Sequence, residues 1–436
     1  GAREERDIAR RSVKMSGSTR ERAALAVDGG PKVREDPFPP RRLFGEEEKQ
    51  AVVSLFDAAM ERGHQVLGYN GPQEEGYCKE FAEFQGGGFA DAVNSGTSAV
   101  YVALRALEIE PFTEVIVPAI SDPGGVMPVA LCNCIPVPAD CAADSYNIGA
   151  EQVEVRITEH TSAIIVAHIG GLPADMGPIL DVARGRGIPV IEDCAQSLGA
   201  SCEGRPVGTI GTVGAFSTMF GKHLASGGQG GVVYTRDEDL HWRIRRCADR
   251  GKPFGMDSPE GNVVAALNCN TDELHAAIAR VQLRKLPAMI DRRRRLAESV
   301  ATGCRESLRS VRVVTDPPDC RAVYGFLLFR LRADELRVDK NTFASAVAAE
   351  GIPVSPSYWY VPTRMPWCRR RRVFGTSGLP WSSPLYGGDA DRQFDLPNAE
   401  ATDGCHFRMD IHEDWTQREV DDILAALSKV ENACLK

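Results

Sequence analysis

The fold class follows from residues 161–193, whose sequence is TSAIIVAHIGGLPADMGPILDVARGRGIPVIED. This segment begins with a buried strand, TSAIIVAHIGG, passes through a helical part, ADMGPILDVARGRG, and ends with a second strand, IPVIED. Two apolar strands joined by a crossover helix are the building unit of a parallel sheet. The segment therefore predicts an α/β fold.

The same alternation continues on both sides of this segment. Upstream, DAVNSGTSAVYVALRAL (91–107) has the pattern strand, turn and helix, and TEVIVPAI (113–120) has the pattern of a buried strand. Downstream, TVGAFST (212–218) and GGVVYT (230–235) predict two more strands. Apolar strands that alternate with helices predict a mostly parallel sheet covered on both faces.

The pattern changes near residue 271, where one long helix, 271–301, is predicted with Pro287 bending or dividing it. Beyond it the strands are fewer, which predicts a small α+β domain. A chain of 436 residues is long enough for two domains. We therefore expect an N-terminal extension over 1–25, a large domain over 26–304 and a small C-terminal domain over 305–436.

Composition narrows the class of protein. The chain is 43% hydrophobic and 25% charged, as in soluble globular proteins, and its net charge of −9 argues against a nucleic-acid partner. Two arginine runs, 292–295 and 369–372, are explained either as solvated faces or as a local site for a phosphorylated substrate. The second run lies in a segment rich in Pro, Gly, Trp and Tyr, 353–400, which predicts long loops.

The 13 cysteines are odd in number and scattered, which predicts buried thiols in a reducing compartment and not a disulfide framework. Cys132, Cys134 and Cys141 lie close together, but no second ligand pair with zinc-like spacing follows, so we expect no metal site. No apolar run has the length of a membrane span, and no secretory signal is apparent, so the expectation is a cytoplasmic protein without a membrane partner.

Three segments carry side chains with reactive chemistry. The first is FGKHLASGGQGG, residues 220–231, which contains Lys222. Its glycines lack the spacing of a Rossmann or P-loop motif and lead into a strand, not a helix. A lysine at such a junction is either a surface lysine or a desolvated amine whose ammonium form is disfavoured, which makes it nucleophilic. Ser217 precedes it by five residues.

The second segment is NSGTSA, residues 94–99, between a strand and a helix. Gly96 permits a tight turn, and free backbone amides of Thr97, Ser98 and Ala99, with the hydroxyls of Thr97 and Ser98, form an anion site at the helix start. A plain helix N-cap explains the same residues.

The third segment is IPVIEDCAQSLGA, residues 188–200, in which Glu192 and Asp193 end a strand and Gln196 follows. Strand C-termini are where α/β sheets place ligands, although Asp193 is also explained as a helix cap. An amine nucleophile, a carboxylate and phosphate donors are together the set that pyridoxal 5′-phosphate requires.

These motifs, with GGPKVREDPFPPRRLFGEEE (29–48) and EVIVPA (114–119), resemble the DegT/DnrJ/EryC1/StrS family of pyridoxal-phosphate-dependent sugar and cyclitol aminotransferases. The resemblance runs from about residue 25 to the C-terminus and implies an aspartate-aminotransferase-like fold. It implies that Lys222 carries the cofactor and that Asp193 pairs with its pyridine nitrogen. It further implies that Gln196 approaches the ring hydroxyl, and that the phosphate is held by Gly96, Thr97, Ser98 and Ser217.

The resemblance also implies a homodimer with shared active sites. Asn268 matches the asparagine that the family extends to the phosphate of the partner subunit. Asn268 lies just before the long helix, in a loop that we expect the chain's own sheet not to need.

The chain departs from the family pattern at several positions near the site. Asp122 stands where the family places an aromatic residue on the cofactor ring, and Gln229 stands at an acid position. Asn268 begins NCN in place of an NYR-type motif, and His223 follows the lysine where Asn is common. His168, at the end of a predicted strand, is a further candidate active-site residue.

The resemblance implies transfer of an amino group from glutamate or glutamine to a keto sugar, often nucleotide-linked, or to a keto-cyclitol. Such a reaction belongs to secondary-metabolite or glycan biosynthesis. Because of His223 and Asp122, a lyase or dehydratase-like reaction stays open. A regulatory protein that binds the cofactor without turnover is a further alternative, which intact Lys222 and Asp193 oppose.

Overall fold

The computed structural model describes residues 24–257, 260–358 and 360–436. The predicted extension over 1–25 lies outside the described residues except for its last two positions. The helices are α1 (Glu46–Arg62), α2 (Pro72–Phe84), α3 (Gly96–Ala106), α4 (Met127–Leu131), α5 (Ala150–Glu154), α6 (Met176–Arg184), α7 (Glu238–Ala248), α8 (Glu273–Ser307), α9 (Lys340–Ala349), α10 (Pro366–Arg369), α11 (Pro397–Cys405) and α12 (Gln417–Cys434). The strands are β1 (Phe89–Val93), β2 (Glu114–Pro118), β3 (Ile135–Ala139), β4 (Thr161–Ala167), β5 (Val190–Asp193), β6 (Ser201–Cys202), β7 (Arg205–Pro206), β8 (Val213–Ser217), β9 (Gly231–Thr235), β10 (Val311–Val313), β11 (Cys320–Arg321), β12 (Phe326–Leu331), β13 (Val354–Ser355) and β14 (His406–Asp410).

The central sheet has seven strands in the order β1-β9-β8-β5-β4-β2-β3. Strands β3, β2, β4, β5 and β8 pair in parallel, while β9 runs antiparallel between β8 and β1. The mostly parallel sheet predicted from the sequence is therefore confirmed. The carboxyl ends of β5 and β8 lie side by side at one edge of the sheet, and these ends carry Asp193 and Ser217.

Both faces of the sheet are buried, because neighbouring residues of each strand point to opposite sides. Ala163 and Ile165 pack in the cluster that holds α3 and α7, whereas Ile164 and Val166 pack in the cluster that holds α6. The cluster that also contains residues of α2 and α8 covers the outer strands on this second side. The sheet is thus the middle layer of three.

A second sheet is antiparallel, with the order β10-β12-β14-β13. It shares a core with α9, α12 and the C-terminal half of α8, including Phe329, Phe343 and Ile423. Helix α8 is continuous through Pro287, so the expectation that this residue divides the helix is wrong. Leu286 and Met289, on either side of the proline, are buried, and this packing holds the helix together where a hydrogen bond is missing. The predicted division after residue 304 lies within the last turn of α8, and the two-domain organisation stays a prediction.

Two cysteines differ from the expectation of free thiols. Cys202 and Cys320 form a disulfide between β6 and β11, where the two residues lie opposite each other in an antiparallel pair. They are 118 residues apart in sequence, so no local spacing announces the bond. Among the helices of the described residues, none combines the length and hydrophobicity that a membrane crossing requires.

Candidate active site

The turn between β1 and α3 forms one wall of the site. The Ser95 hydroxyl caps α3 by accepting from the Ser98 backbone N–H at 3.0 Å, and the Ser98 hydroxyl donates to the Asn94 side chain at 2.6 Å. The first N–H groups of a helix have no partner within the helix. The predicted free amides of Ser98 and Ala99 are wrong, because both donate to Ser95. Gly96 and Thr97 present the free amides at the start of α3, so the N-cap and the anion site coexist in one turn.

Three glycines allow neighbouring segments to pack closely against this turn. Gly96 has no room for a β-carbon because the Ser217 side chain lies against it. In the short 3-10 turn Pro123–Gly125, Gly124 lies against the Thr97 hydroxyl and Gly125 against the Asp193 carboxylate. At these glycines no side chain intervenes, so the turn 94–99, the end of β8 and the end of β5 pack closely together.

The Asp193 carboxylate is 7% exposed and accepts a hydrogen bond from the Ala195 N–H at 3.0 Å. Burial raises the pKa of Asp193, while the Ala195 N–H and the charge of Lys222 oppose the shift. Asp122 lies in the same environment, and its side chain caps the 3-10 turn by accepting from the Gly124 N–H at 2.8 Å. The structure thus places Asp122 close enough to Asp193 for their charges to interact.

Lys222 lies in the turn after β8, half-buried, with its backbone N–H donating to the Met219 carbonyl. Burial lowers the pKa of the Lys222 ammonium, and the carboxylates of Asp193 and Asp122 act in the opposite direction. A lowered pKa increases the neutral amine fraction, which is the nucleophilic form. Lys222 is therefore a half-buried amine whose charge interacts with those of two carboxylates.

The backbone of Lys222 is held by a residue that the sequence analysis did not single out. Arg41 donates to the Lys222 carbonyl at 2.6 Å and to the His223 carbonyl at 2.9 Å. The Arg41 guanidinium also bonds to Glu413 at 2.9 Å, and Glu413 bonds to the buried Arg293 at 2.7 Å. The only sequence signal is the position of Arg41 within the segment 29–48.

Gln196 has a second partner that the sequence analysis missed. Its side-chain oxygen accepts from the Gly170 N–H at 2.7 Å, and its amide donates to the Tyr358 hydroxyl at 2.6 Å. The Tyr358 ring is buried beside Phe326 and Tyr360. Aromatic side chains of the segment 353–400 therefore lie near Asp122, the position at which the family usually has an aromatic residue.

Two histidines have structural partners. The His168 ring is buried, accepts from the Ala174 N–H at 2.9 Å and donates to Glu192 at 3.1 Å. The His223 ring is also buried and donates to the Val323 carbonyl at 3.1 Å. Burial lowers the pKa of His223 well below its ordinary value, so the ring is neutral at physiological pH. Neither ring is aimed into the space beside Lys222 by these hydrogen bonds.

Glu192 points to the opposite side of β5 from Asp193. Its two oxygens accept from the backbone N–H groups of Gly208, Ile210 and Gly211 as well as from His168. Glu192, His168 and Cys194 place potential metal-ligand atoms within 4.8 Å of one another. The carboxylate oxygens are already committed to these donors, so Glu192 serves the fold.

The remaining candidates lie at the surface of this single chain. Gln229 is exposed, and its backbone carbonyl accepts from the Ser226 hydroxyl at 3.1 Å. Asn268 is exposed, and its side-chain oxygen accepts from the Asn270 amide at 2.7 Å. The expectation that its loop is independent of the sheet is wrong, because the adjacent Cys269 carbonyl accepts from the Asn94 N–H at 2.8 Å.

The donor set of this site fits pyridoxal 5′-phosphate on its own chemistry. A phosphate needs free N–H groups and hydroxyls, which the start of α3, Thr97 and Ser217 offer. A pyridine nitrogen needs a buried carboxylate, and a carbonyl carbon needs a neutral amine. Asp193 and Lys222 meet these two requirements in one continuous site.

Comparison with known proteins agrees with this site. Residues 46–428 match the DegT/DnrJ/EryC1/StrS aminotransferase family. The chain is 31% identical over 427 residues to the L-glutamine:2-deoxy-scyllo-inosose aminotransferase of Streptomyces lividus, covering 93% of this chain and 97% of that protein. It is also 31% identical over 366 residues to the dTDP-3-amino-3,4,6-trideoxy-alpha-D-glucose transaminase of Streptomyces venezuelae, covering 84% and 88% of the two chains.

A solved structure extends the likeness to the fold. The aminotransferase from Psychrobacter cryohalolentis superposes with a TM-score of 0.78 at 25% identity, covering 91% of this chain and 99% of that one. The matches in sequence and in structure both span most of the chain, and they include the segments that bear Lys222 and Asp193. The chain belongs to the DegT/DnrJ/EryC1/StrS aminotransferase family.

Proposed function

We propose that this aminotransferase uses pyridoxal 5′-phosphate to transfer an amino group from glutamine or glutamate to the keto group of a sugar or cyclitol. One observation carries the proposal: the half-buried Lys222 amine, its pKa lowered by burial, interacts electrostatically with the buried Asp193 carboxylate, which packs against the turn at the start of α3 through Gly125 and Gly124. The named relatives act on a keto-cyclitol and on a dTDP-linked sugar, which sets the two acceptor classes.

The binding roles follow from the donors. The Gly96 and Thr97 amides and the Thr97 and Ser217 hydroxyls would hold the phosphate, since Ser217 packs against Gly96 at the start of α3. Ser98 would join them by turning its hydroxyl from Asn94 to the phosphate. Asp193 would keep a proton on the ring nitrogen. When bound, the cofactor supplies an electron-withdrawing ring that accepts the electron pair left at the donor α-carbon.

Lys222 has two roles in this proposal. Its neutral amine would hold the cofactor, and the same amine, once free, would take the proton from the donor α-carbon. Arg41 would fix the position of this amine by holding the carbonyls of Lys222 and His223. Gln196, itself held by Tyr358, would contact the ring hydroxyl.

The alternative of a lyase or dehydratase reaction depended on His223 and Asp122. A buried, neutral His223 that donates to Val323 is a poor proton donor for a bound substrate, which favours amino transfer. The test is direct: the cofactor-loaded protein is mixed with glutamine or glutamate and its absorption spectrum is followed, with assay of the 2-oxo acid. Stoichiometric 2-oxo acid with a lasting spectral change supports the proposal, whereas an unchanged spectrum contradicts it.

We further propose that the protein works as a homodimer in which Asn268 reaches the phosphate site of the partner subunit. Asn268 is exposed in the single chain, and among the described hydrogen bonds its amide group donates none. A side-chain amide that donates to a phosphate contributes roughly 1.5–3 kcal/mol. Loss of this bond is therefore expected to weaken cofactor binding about 10- to 100-fold.

Complementation tests the shared site. Inactive Lys222→Ala and inactive Asn268→Asp are mixed under conditions that exchange subunits, because mixed dimers contain one site with both defects and one with neither. Activity is expected to return to roughly a quarter of the wild-type value in an equal mixture. If subunit exchange is demonstrated and the mixture stays inactive, the two residues act in one chain and the shared-site proposal fails.

Arg41→Ala is expected to lower both stability and the turnover of the folded enzyme. The change removes the guanidinium from two backbone carbonyls and from the 2%-exposed Glu413 side chain, which keeps its bond to Arg293, so the expected loss of stability is about 1–3 kcal/mol. The matched control is Arg42→Ala, since Arg42 is the exposed neighbour. A purely structural role would reduce the melting temperature and leave kcat of the folded fraction and the cofactor spectrum unchanged.

A further inference from the structure

The disulfide between Cys202 and Cys320 lies outside the site described above, but it ties together two segments that lead into that site. Cys202 lies in β6, six residues after Gln196 on the segment that follows β5. Cys320 lies in β11, three residues before Val323. Both cysteines are half-buried, so a small thiol in solution can reach the bond.

The strands that the disulfide joins share a short contact. β6 and β11 have two residues each and pair antiparallel, with Cys202 opposite Cys320. The Glu203 N–H adds a hydrogen bond to the Asp319 carbonyl at 2.8 Å. Pairing of such short strands is marginally stable by itself in water. The disulfide, which links residues 118 positions apart, therefore supplies much of what holds the two segments in register.

The residues after Cys320 run directly into contacts that hold the site. The Val323 carbonyl accepts from the His223 ring at 3.1 Å, and His223 follows Lys222 in the chain. The Val323 N–H donates to the Gly171 carbonyl at 3.1 Å. Three residues and one hydrogen bond therefore connect the disulfide with the turn that carries Lys222.

A close backbone contact links the same segment to Gln196. The Gly325 N–H donates to the Gly170 carbonyl at 2.8 Å, and the Gly170 N–H donates to the Gln196 side chain at 2.7 Å. Gly171 has a φ of +81°, and a β-carbon there would lie 2.9 Å from the Gly325 nitrogen and 3.0 Å from the Gln196 carbonyl oxygen. Backbone packed this closely transmits a displacement instead of absorbing it. A shift of the segment 323–325 therefore reaches Gln196 as well as His223.

Four other cysteines are half-buried, and burial raises the pKa of each thiol. The pKa rises to about 12 in Cys132 and in Cys368, and it is also raised in Cys78 and Cys405. The thiolate is the form that attacks a disulfide or an oxidant. These four thiols are therefore poor reaction partners, and a redox reagent acts first on the pair in β6 and β11.

We propose that the Cys202–Cys320 pair is a reversible redox switch for the turn that carries Lys222. With the disulfide formed, the segment 320–325 is held against residues 170–171 and against His223. When a dithiol reduces the bond, two electrons and two protons pass to the two sulfurs, and the dithiol becomes a cyclic disulfide. β11 is then released from β6, and the turn loses part of its support. A low-molecular-weight disulfide reverses the step by taking up two electrons and two protons as it separates into two thiols.

Hydrogen exchange with mass spectrometry tests the switch on the cofactor-loaded enzyme. The enzyme is compared after treatment with hydroxyethyl disulfide and after reduction with dithiothreitol, each followed by desalting. Reduction is expected to speed exchange of the Val323 and Gly325 amides about 10-fold. It should lower the melting temperature by about 2–5 °C. It should also slow turnover with glutamine about 3- to 10-fold, because the position of Lys222 is less well fixed. Reoxidation should restore all three.

Variants separate the disulfide from other effects of the reductant. Cys202→Ser combined with Cys320→Ser should behave like the reduced enzyme and should not respond to dithiothreitol. The matched control is Cys368→Ser, which removes another half-buried thiol and should respond as the wild type does. Reduction of the wild type alone decides the matter if the double variant fails to fold.

Four results would overturn the switch. The mass of the wild type could show two thiols at these positions even after hydroxyethyl disulfide, or reduction could leave exchange at Val323 and Gly325 unchanged. The double variant could respond to dithiothreitol, or turnover could stay constant while exchange speeds up. The effect on turnover rests on the proposed amino transfer, whereas the effect on exchange does not. If glutamine yields no 2-oxo acid in either redox state while exchange still responds, the proposed function fails and the redox-sensitive contact stands.

Discussion

Lys222→Ala is expected to abolish amino transfer, lowering turnover by more than about 10⁴-fold, because the variant loses both the attaching amine and the base that moves the α-proton. The fold should survive. The pKa of the Lys222 ammonium is lowered by burial, so removing this group relieves a desolvation penalty and leaves the backbone contacts of Arg41 in place. Steady-state assay with glutamine, together with a melting curve, measures both effects.

Chemical trapping gives an independent test of the same residue. Borohydride reduction of the cofactor-loaded wild type, followed by peptide mapping, should place the label on Lys222. The control variant is Lys49→Ala, which removes an exposed lysine paired with Glu46 and should keep full activity. A label on any other lysine would contradict the proposal that Lys222 carries the cofactor.

Asp193→Asn is expected to keep the cofactor but to cut turnover about 10²- to 10⁴-fold. An amide cannot hold a proton on the ring nitrogen, so the ring loses its capacity to accept electrons from the donor α-carbon. The structure makes this a clean substitution, since an asparagine oxygen can still accept from the Ala195 N–H at 3.0 Å. Cofactor absorbance and kcat, measured on the same preparation, separate binding from catalysis.

The neighbouring acid supplies the matched control. Glu192→Gln should lower stability by about 1–3 kcal/mol and leave kcat of the folded enzyme unchanged, because the amide cannot accept all the donors that the carboxylate accepts. Loss of turnover in Asp193→Asn and loss of stability alone in Glu192→Gln would reflect the opposite directions of neighbouring side chains along β5. A near-normal rate in Asp193→Asn would remove Asp193 from its proposed role.

The parts of the fold that could be predicted are those with local patterns. Apolar strands alternating with helices gave the parallel sheet, and the rule that ligands gather at strand C-termini pointed to Asp193. Lys222 stood out through its glycine-rich setting. Each of these signals lies within about a dozen neighbouring residues, which is the range over which periodicity and turn chemistry act.

The contacts that could not be predicted join distant residues. Arg41 and Glu413 are 372 positions apart, and Gln196 and Tyr358 are 162 apart, so no local spacing links them. His223 was a candidate because of its neighbour, yet its ring faces Val323, 100 residues away. At Pro287 a local signal was misleading. Proline disfavours the interior of a helix, but tertiary packing along much of α8 keeps the helix continuous.

The contact between Arg41, Lys222 and Glu413 has a consequence for how the enzyme is made. A ribosome synthesises Arg41 early and Glu413 late, with the whole sheet in between. The nascent sheet and its lysine can therefore assemble while the carboxylate that orients Arg41 is still missing. Pulse-labelled chains should acquire the compact sheet before they can load cofactor, so that maturation of the catalytic turn waits for one of the last segments to be translated.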